Sequence, residues 1–401
     1  MTRSFAEILG PDVASKLAQP IEQARGLPSA AYTSQEFYDL EQERLFPRTW
    51  MGVAYADDIP EPGDAMPITV LGLPLILVRD KKNNIRAYHN VCRHRATIVL
   101  QKPEKGLKNL QCPYHAWTWD LEGNLIATPY FDGTPNSENF SVDKEKNGLV
   151  PVRCDEWHRI VFINLEGNAE PLHDYLKPAI ELYDHLDIDA LRPAFRIDWE
   201  YESNWKMVNE NWEVYHHIWV HHGIFDKMSD EVELETGEPY TLMVAEGNVL
   251  SLRPSPKRPP RNLYGSELPE IPLKEGATKG RAAGIVALLP NTTVSLGMNR
   301  SAPVIYTPLS PSRTRAVQSF YFVGDAATDD KLAEAREKAI NLSLGTTREW
   351  NDKGGIRSQD QNCFVLQQAA RYSPVADNVQ FSPTWEQNVH YFQNWVAEQL
   401  A

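Results

Sequence analysis

Four residues constrain this chain more than anything else in it: Cys92 and His94, separated by one residue, then after seventeen positions Cys112 and His115, separated by two. Two thiolates and two neutral imidazoles in this mixed order suit a two-iron, two-sulfur cluster in which both cysteines hold one iron and both histidines the other. Imidazole in place of thiolate raises the reduction potential above that of an all-cysteine cluster, so the chemistry indicated is one-electron transfer. Tetrahedral zinc accepts the same donors. Zinc fingers, however, keep the two cysteines as one pair and the two histidines as the other, whereas each short pair here contains one of each. Cys92-Arg93-His94-Arg95 and Cys112-Pro113-Tyr114-His115-Ala116-Trp117 each follow a strand-like run and read as two loops converging on one point.

On these residues the chain resembles the oxygenase component, or alpha subunit, of the Rieske non-heme iron oxygenases of the aromatic ring-hydroxylating type. It departs from the common pattern in carrying Ala96 and Ala116 where that family usually has glycine, and neither change touches a ligand. The resemblance implies a Rieske 2Fe-2S cluster on Cys92, His94, Cys112 and His115, and a separate mononuclear Fe(II).

With 401 residues, 42% hydrophobic and 23% charged, the chain can bury more than one core and is expected to divide into about two domains. It contains no apolar run near the length of a membrane span and no secretory leader pattern, so a soluble cytoplasmic protein is expected. A net charge of -14 disfavours nucleic acid and anionic membranes as partners. Beyond Cys92 and Cys112, the remaining cysteines, Cys154 and Cys363, are widely separated and form no disulfide framework, which fits a reducing compartment.

The apolar spacing from Ser34 to Phe46 predicts an amphipathic helix, and residues 1–46 read as a helical segment packing on the catalytic domain. Short β-branched and aromatic runs at Ile68, Leu75, Ile85 and Arg159, with a hairpin turning at Glu122-Gly123-Asn124, predict a small antiparallel β domain over 47–155 with both cluster loops at its tip. The rest, 156–401, mixes predicted helices (203–220, 329–350, 359–371) with predicted strands (288–296, 304–308, 316–324). The fold class expected is therefore α+β, a small β Rieske domain followed by a larger antiparallel sheet flanked by helices. Six prolines between Arg253 and Pro272 exclude a regular element there, leaving a surface connection or a lid.

Four of the eleven histidines fall within seven positions, at His216, His217, His221 and His222, beside Glu210 and Glu213. A mononuclear oxygenase iron needs two histidines and one carboxylate on one face, with the opposite positions open. Residues four apart align on a helix, which favours His217 with His221; five-residue spacing requires the helix to widen or end. The resemblance instead implies His216 with His221, which match the family's Tyr-His-x-x-x-x-His motif, and a third ligand at Asp360, where the family has a Glu-Asp pair opening a helix. Gln359 stands in place of that glutamate, and Gln368 sits where the family often has glutamine.

Glu213, three residues before His216, occupies the place of the family's carboxylate that bridges an iron-ligating histidine to a Rieske histidine of the adjacent subunit. The resemblance thereby implies a head-to-tail homotrimer, single electrons arriving from a ferredoxin or a flavin-dependent NAD(P)H reductase, and dioxygen used to hydroxylate a small organic substrate. No Gly-x-Gly-x-x-Gly fingerprint is evident, so the nicotinamide belongs to a separate protein. An apolar pocket lined by the 285–325 region suits an aromatic substrate. Trp205, Trp212 and Trp219 leave open a cage for a quaternary ammonium compound, oxidised or N-demethylated by the same metals. A Rieske electron carrier without oxygenase activity and a zinc-stabilised binding protein are the remaining readings.

Overall fold

The computed structural model describes residues 3–133, 142–212, 216–221, 241–255, 267–277, 284–344 and 356–401. Its contacts divide the chain into two units, Pro47–Leu172 and the remainder.

The first unit is built on strands too apolar to face water. In β3 (Leu73–Arg79) the residues Leu75, Ile76, Leu77 and Val78 are all fully buried, as a strand in the middle of a sheet with both faces covered must be. Each such side chain contributes about 1.5–3 kcal/mol through burial. β3 lies between β2 (Ala65–Val70) and β4 (Ile85–His89), and β8 (Pro151–Trp157), β9 (Ile160–Asn164) and β1 (Met51–Tyr55) complete an antiparallel sheet in the order β1-β9-β8-β4-β3-β2. A second, three-stranded sheet joins β5 (Leu110–Gln111), β6 (Thr118–Trp119) and β7 (Leu125–Ala127). The predicted hairpin is present here: Asp120 pairs with Asn124 across the turn, and Gly123 sits at φ +85° against the Tyr88 ring, where an added Cβ would lie 2.6 Å from a ring atom. A boundary at Asp155 would cut β8 in its middle. The unit runs on to Leu172 because β9 pairs with both β8 and β1.

In the second unit seven antiparallel strands follow the order β10-β16-β15-β14-β13-β12-β11: β10 (Leu191–Tyr201), β11 (Thr241–Glu246), β12 (Val249–Pro254), β13 (Gly284–Leu288), β14 (Thr292–Leu296), β15 (Arg300–Ser310) and β16 (Arg313–Val323). The stretch expected as one strand over 288–296 is instead the end of β13, a turn, and β14. One face of β10 and β16 carries ion pairs, Asp198 with Arg315 at 2.9 Å and Glu200 with Arg313, while the other carries Trp199, Tyr201, Thr314 and Ala316 toward the helices. This unit's helices among the described residues include Lys177–Tyr183, Trp205–Glu210, Ala333–Leu344, Ile356–Ala370 and Gln387–Leu400, so the one predicted over 203–220 is shorter than expected and the one predicted from 329 begins at Ala333.

Residues before Pro47 dock on the last helix, where Leu27 N–H donates to Gln393 Oε1 at 2.8 Å and His390 Nε2 meets the Leu17 carbonyl at 2.7 Å. The predicted 34–46 helix is capped by Ser34 and runs over Gln35–Leu40, then widens into a π-type turn over Glu41–Leu45. That turn carries Glu41 into the core, where its carboxylate meets Lys206 Nζ at 2.6 Å and the Trp205 indole N–H at 3.0 Å, all fully buried or nearly so.

Candidate metal centres

The two cluster loops are built alike. Cys92 N–H donates to Thr97 O and Ala96 N–H to Cys92 O, at 2.8 and 3.0 Å; Cys112 N–H donates to Trp117 O and Ala116 N–H to Cys112 O, at the same two distances. Closing each loop this tightly forces the fifth residue into the left-handed region, φ +56° at Ala96 and +55° at Ala116. Those are the two positions where glycine is usual in the family the sequence resembles. Asn90 fixes the base of the first loop, accepting from Val99 and Leu100 N–H and donating to Leu100 O.

Cys92 and Cys112 are buried beneath the loops, whereas His94 and His115 are partly exposed above them, their ring centroids 4.7 Å apart. Trp117 stacks on His94 at 5.0 Å and 8°, holding its ring. Burial, with the neighbouring Cys112 thiol, raises the Cys92 pKa from its ordinary value, a cost that a bound cation reverses by taking the thiolate. Nδ1 of His94 is buried with no hydrogen-bond partner. Two buried thiols below two imidazoles, one carrying an orphaned nitrogen, fit a cluster ligated by sulfur on its inner side and nitrogen on its outer side.

In the second unit the helix Trp205–Glu210, capped by the Asn204 side chain, ends at Asn211, and His216 and His217 lie in a turn followed by a single 3₁₀ turn over Ile218–Val220. Val220 N–H donates to His217 O, which sets His217 and His221 on one side. Their rings lie 5.1 Å apart, and each Nε2 lies 3.4 Å from Oδ1 of Asp360, on the helix Ile356–Ala370. Among the described residues these three form a group whose ligand atoms all fall within 4.8 Å of one another. Side-chain exposure is 13% for His217, 1% for His221 and 17% for Asp360. Oδ1 of Asp360 is buried without a hydrogen-bond partner. Two imidazoles and an orphaned carboxylate oxygen converging from one side fit the donor set of a mononuclear iron with open positions.

His221 Nδ1 lies 3.0 Å from Oε1 of the buried Gln359. An amide oxygen only accepts, so Nδ1 carries the proton and Nε2 presents its lone pair toward Asp360. Gln368 ties the same helix down, its Oε1 accepting from Asn204 N–H at 2.9 Å and its Nε2 donating to Tyr32 O at 3.1 Å. Tyr201 and Tyr306 stay protonated beside the site, burial and then nearby charges including Asp360 raising both pKa values.

His216 is not brought into this group. Its ring is 46% exposed, with Nδ1 3.3 Å from Glu386 Oε1, because the chain there is a turn in which the residue four before His221, not five, shares its side. Glu213 and His222 lie outside the described residues, as does the middle of the proline-rich stretch at 256–266. Nor do the three tryptophans gather into a cage. Trp205 packs in the core between Phe46 and Phe392, while Trp219 is 61% exposed. Sequence reasoning gave no role to Gln359 beyond noting it as a departure; its place next to a proposed ligand was the available signal.

A family model described as the Rieske [2Fe-2S] domain matches residues 49–138, and one described as the ring hydroxylating alpha subunit (catalytic domain) matches residues 188–401. The carnitine monooxygenase oxygenase subunit of Acinetobacter pittii (strain PHEA-2) is 33% identical over 219 residues, 54% of this chain and 58% of that protein. The benzene 1,2-dioxygenase subunit alpha of Pseudomonas putida is 30% identical over 223 residues, 53% of this chain and 48% of that one. The chain thus spans about half the length of the curated relatives it matches. A solved quaternary ammonium Rieske monooxygenase, described for carnitine oxidation and inter-subunit electron transfer, aligns with 97% of this chain and 98% of its own at a TM-score of 0.72 and 25% identity.

Proposed function

We propose that this chain, which belongs to the ring hydroxylating alpha subunit family, is the oxygenase component of a Rieske-type mono- or dioxygenase acting on a small organic substrate. The observation that carries the reading is the presence of two donor sets in one chain: the cysteine and histidine loops of one unit, and His217, His221 and Asp360 in the other. When bound, a Rieske cluster supplies electrons one at a time and a mononuclear ferrous ion offers open positions for dioxygen. Cys92, His94, Cys112 and His115 hold the first, and His217, His221 and Asp360 the second. Gln359 keeps His221 in the tautomer that ligates through Nε2. An electron carrier alone would leave this second donor set without a use.

Glu213 is the bridging carboxylate in this reading, linking the iron site to the cluster of an adjacent subunit in a ring of three. Its support is its place in the sequence, four residues before His217, and the inter-subunit transfer described for the similar solved structure. Electrons come from a ferredoxin or a flavin-dependent NAD(P)H reductase. No helix among the described residues is long and apolar enough to cross a membrane. None of the four cysteines is joined in a disulfide, which supports a reducing, cytoplasmic setting.

Two substrate classes are in play. Trp199, Tyr201 and Tyr306 beside the iron site support an aromatic compound, and the printed activities of the relatives include both benzene dioxygenation and carnitine monooxygenation. The test is oxygen uptake by the metal-loaded protein with a surrogate reductase, screened over aromatic acids, aromatic hydrocarbons and betaines. Uptake stimulated by one class and matched by a hydroxylated or demethylated product is the expected result. Reduction of the cluster without stimulated uptake across all three classes would contradict it.

A further inference from the structure

Arg357, Asp360 and Phe364 follow one another at spacings of three and four on the helix Ile356–Ala370, so they share a face. That face looks onto the helix-covered side of the sheet. There Trp199, Ala316 and Tyr306 stand in register across β10, β16 and β15, with the small Ala316 side chain between two aromatic ones. The Arg357 guanidinium lies 4.4 Å over the Trp199 ring. Tyr201, two residues along the same strand, meets the Trp199 ring edge-on at 5.7 Å and the Phe364 ring at 5.6 Å.

Donors of the Arg357 side chain here lack acceptors among the described residues. Among the described residues Nε and Nη1 of Arg357 are buried with no hydrogen-bond partner, and Nε1 of Trp199 meets no acceptor in full hydrogen-bond geometry, although it lies close enough to the Tyr201 hydroxyl to act on its pKa. Among the described residues no carboxylate lies within ion-pair distance of Arg357, although Arg313, Arg315 and Arg86 each have one. Their pKa values are raised by those partners, whereas burial lowers that of Arg357. A buried donor left unmet is costly, and more so when charged, so the unmet guanidinium and the indole N–H beside it call for an anion.

We propose that Arg357 and the Trp199 N–H form a subsite for the carboxylate of the substrate, about one helical turn, roughly 5 Å along the helix axis, from Asp360. The proposal rests on the oxygenase reading and narrows its substrate to small organic carboxylates, aromatic acids or betaines, over neutral hydrocarbons. Arg357 already covers a face of Trp199, so that face is closed to a quaternary ammonium group. A betaine therefore enters carboxylate first, with its ammonium end turned toward the metal.

The test is equilibrium binding by calorimetry to the metal-loaded, oxidised protein without reductant, using benzoate against benzamide and γ-butyrobetaine against choline. At least one carboxylate is expected to bind about tenfold or more tighter than its partner lacking the charge. Arg357→Gln should erase that preference at unchanged iron content, Arg357→Lys should restore part of it, and Trp199→Phe, which keeps a ring under the guanidinium, should weaken it a few-fold. Equal binding of both members of each pair, no binding of any, or a preference that survives Arg357→Gln would overturn the subsite. Because no turnover is needed, a preference found in protein that never consumes oxygen would uphold the subsite and count against the oxygenase reading instead.

Discussion

Nδ1 of His221 lies 3.0 Å from Oε1 of Gln359, the residue immediately before Asp360, so one helix supplies both an iron ligand and the group that orients another. Groups that hold a ligating histidine from behind are worth about 10- to 100-fold in metal affinity. Gln359→Leu should therefore weaken Co(II) binding to the iron-depleted site by about that factor, measured by calorimetry, while Gln359→Glu keeps an acceptor there and retains binding. Unchanged affinity in the leucine variant would remove Gln359 from the site.

His217 and His216 are neighbours in the chain that face different partners, Asp360 and Glu386. His217→Ala should leave a protein with its cluster absorbance intact and its mononuclear iron lost, whereas His216→Ala should keep both. Iron analysis with the two results exchanged would restore the pairing implied by the family motif, His216 with His221.

Ala96 and Ala116 hold left-handed backbone angles that disfavour a side chain by about 1–2 kcal/mol. Replacing either by glycine should stabilise its loop by about 1 kcal/mol after the added freedom of the unfolded chain is deducted. Thermal loss of the visible cluster absorbance reads this directly: the midpoint should rise in each single variant and rise further in the double.

Burial lowers the pKa of His158, at the tight β8–β9 turn, to about 4. The unfolded chain takes up that proton near pH 6.5 and the folded one only near 4, so stability is whole above about pH 6.5 and falls as the pH drops between those values, by about 3 kcal/mol in all. His158→Asn suits the left-handed turn, φ +53°, and cannot titrate. Its melting temperature should fall less than that of the parent between pH 6.5 and 4.5, and identical pH profiles would contradict the assignment.

The cluster ligands were legible because covalent-type ligation demands particular residues at particular spacings, and the loops following β4 and β5 deliver them. The small β domain was legible from runs such as Leu75 to Val78, whose apolarity leaves them no place but a sheet interior. β10 was overlooked although Arg196, Asp198 and Glu200 alternate with Ile197, Trp199 and Tyr201 as a half-buried strand requires, and the ion pairs that anchor it to β16 are over a hundred residues distant. The helix predicted over 203–220 followed aromatic spacing past its true end at Glu210. The pairing of His216 with His221 came from the family motif rather than from this helix, and a turn after its end sets His217 and His221 on the same side. Arg357 carries no signal in the sequence at all: its significance lies in having no carboxylate partner among the described residues, which only the packing around Trp199 reveals.

The central claim is that one chain carries a two-iron cluster and a lone iron held by separate donor sets. Iron, zinc and acid-labile sulfide measured per chain in anaerobically purified protein test it most directly. The account predicts about three irons and two sulfides, whereas about two irons with two sulfides, or zinc without sulfide, would contradict it.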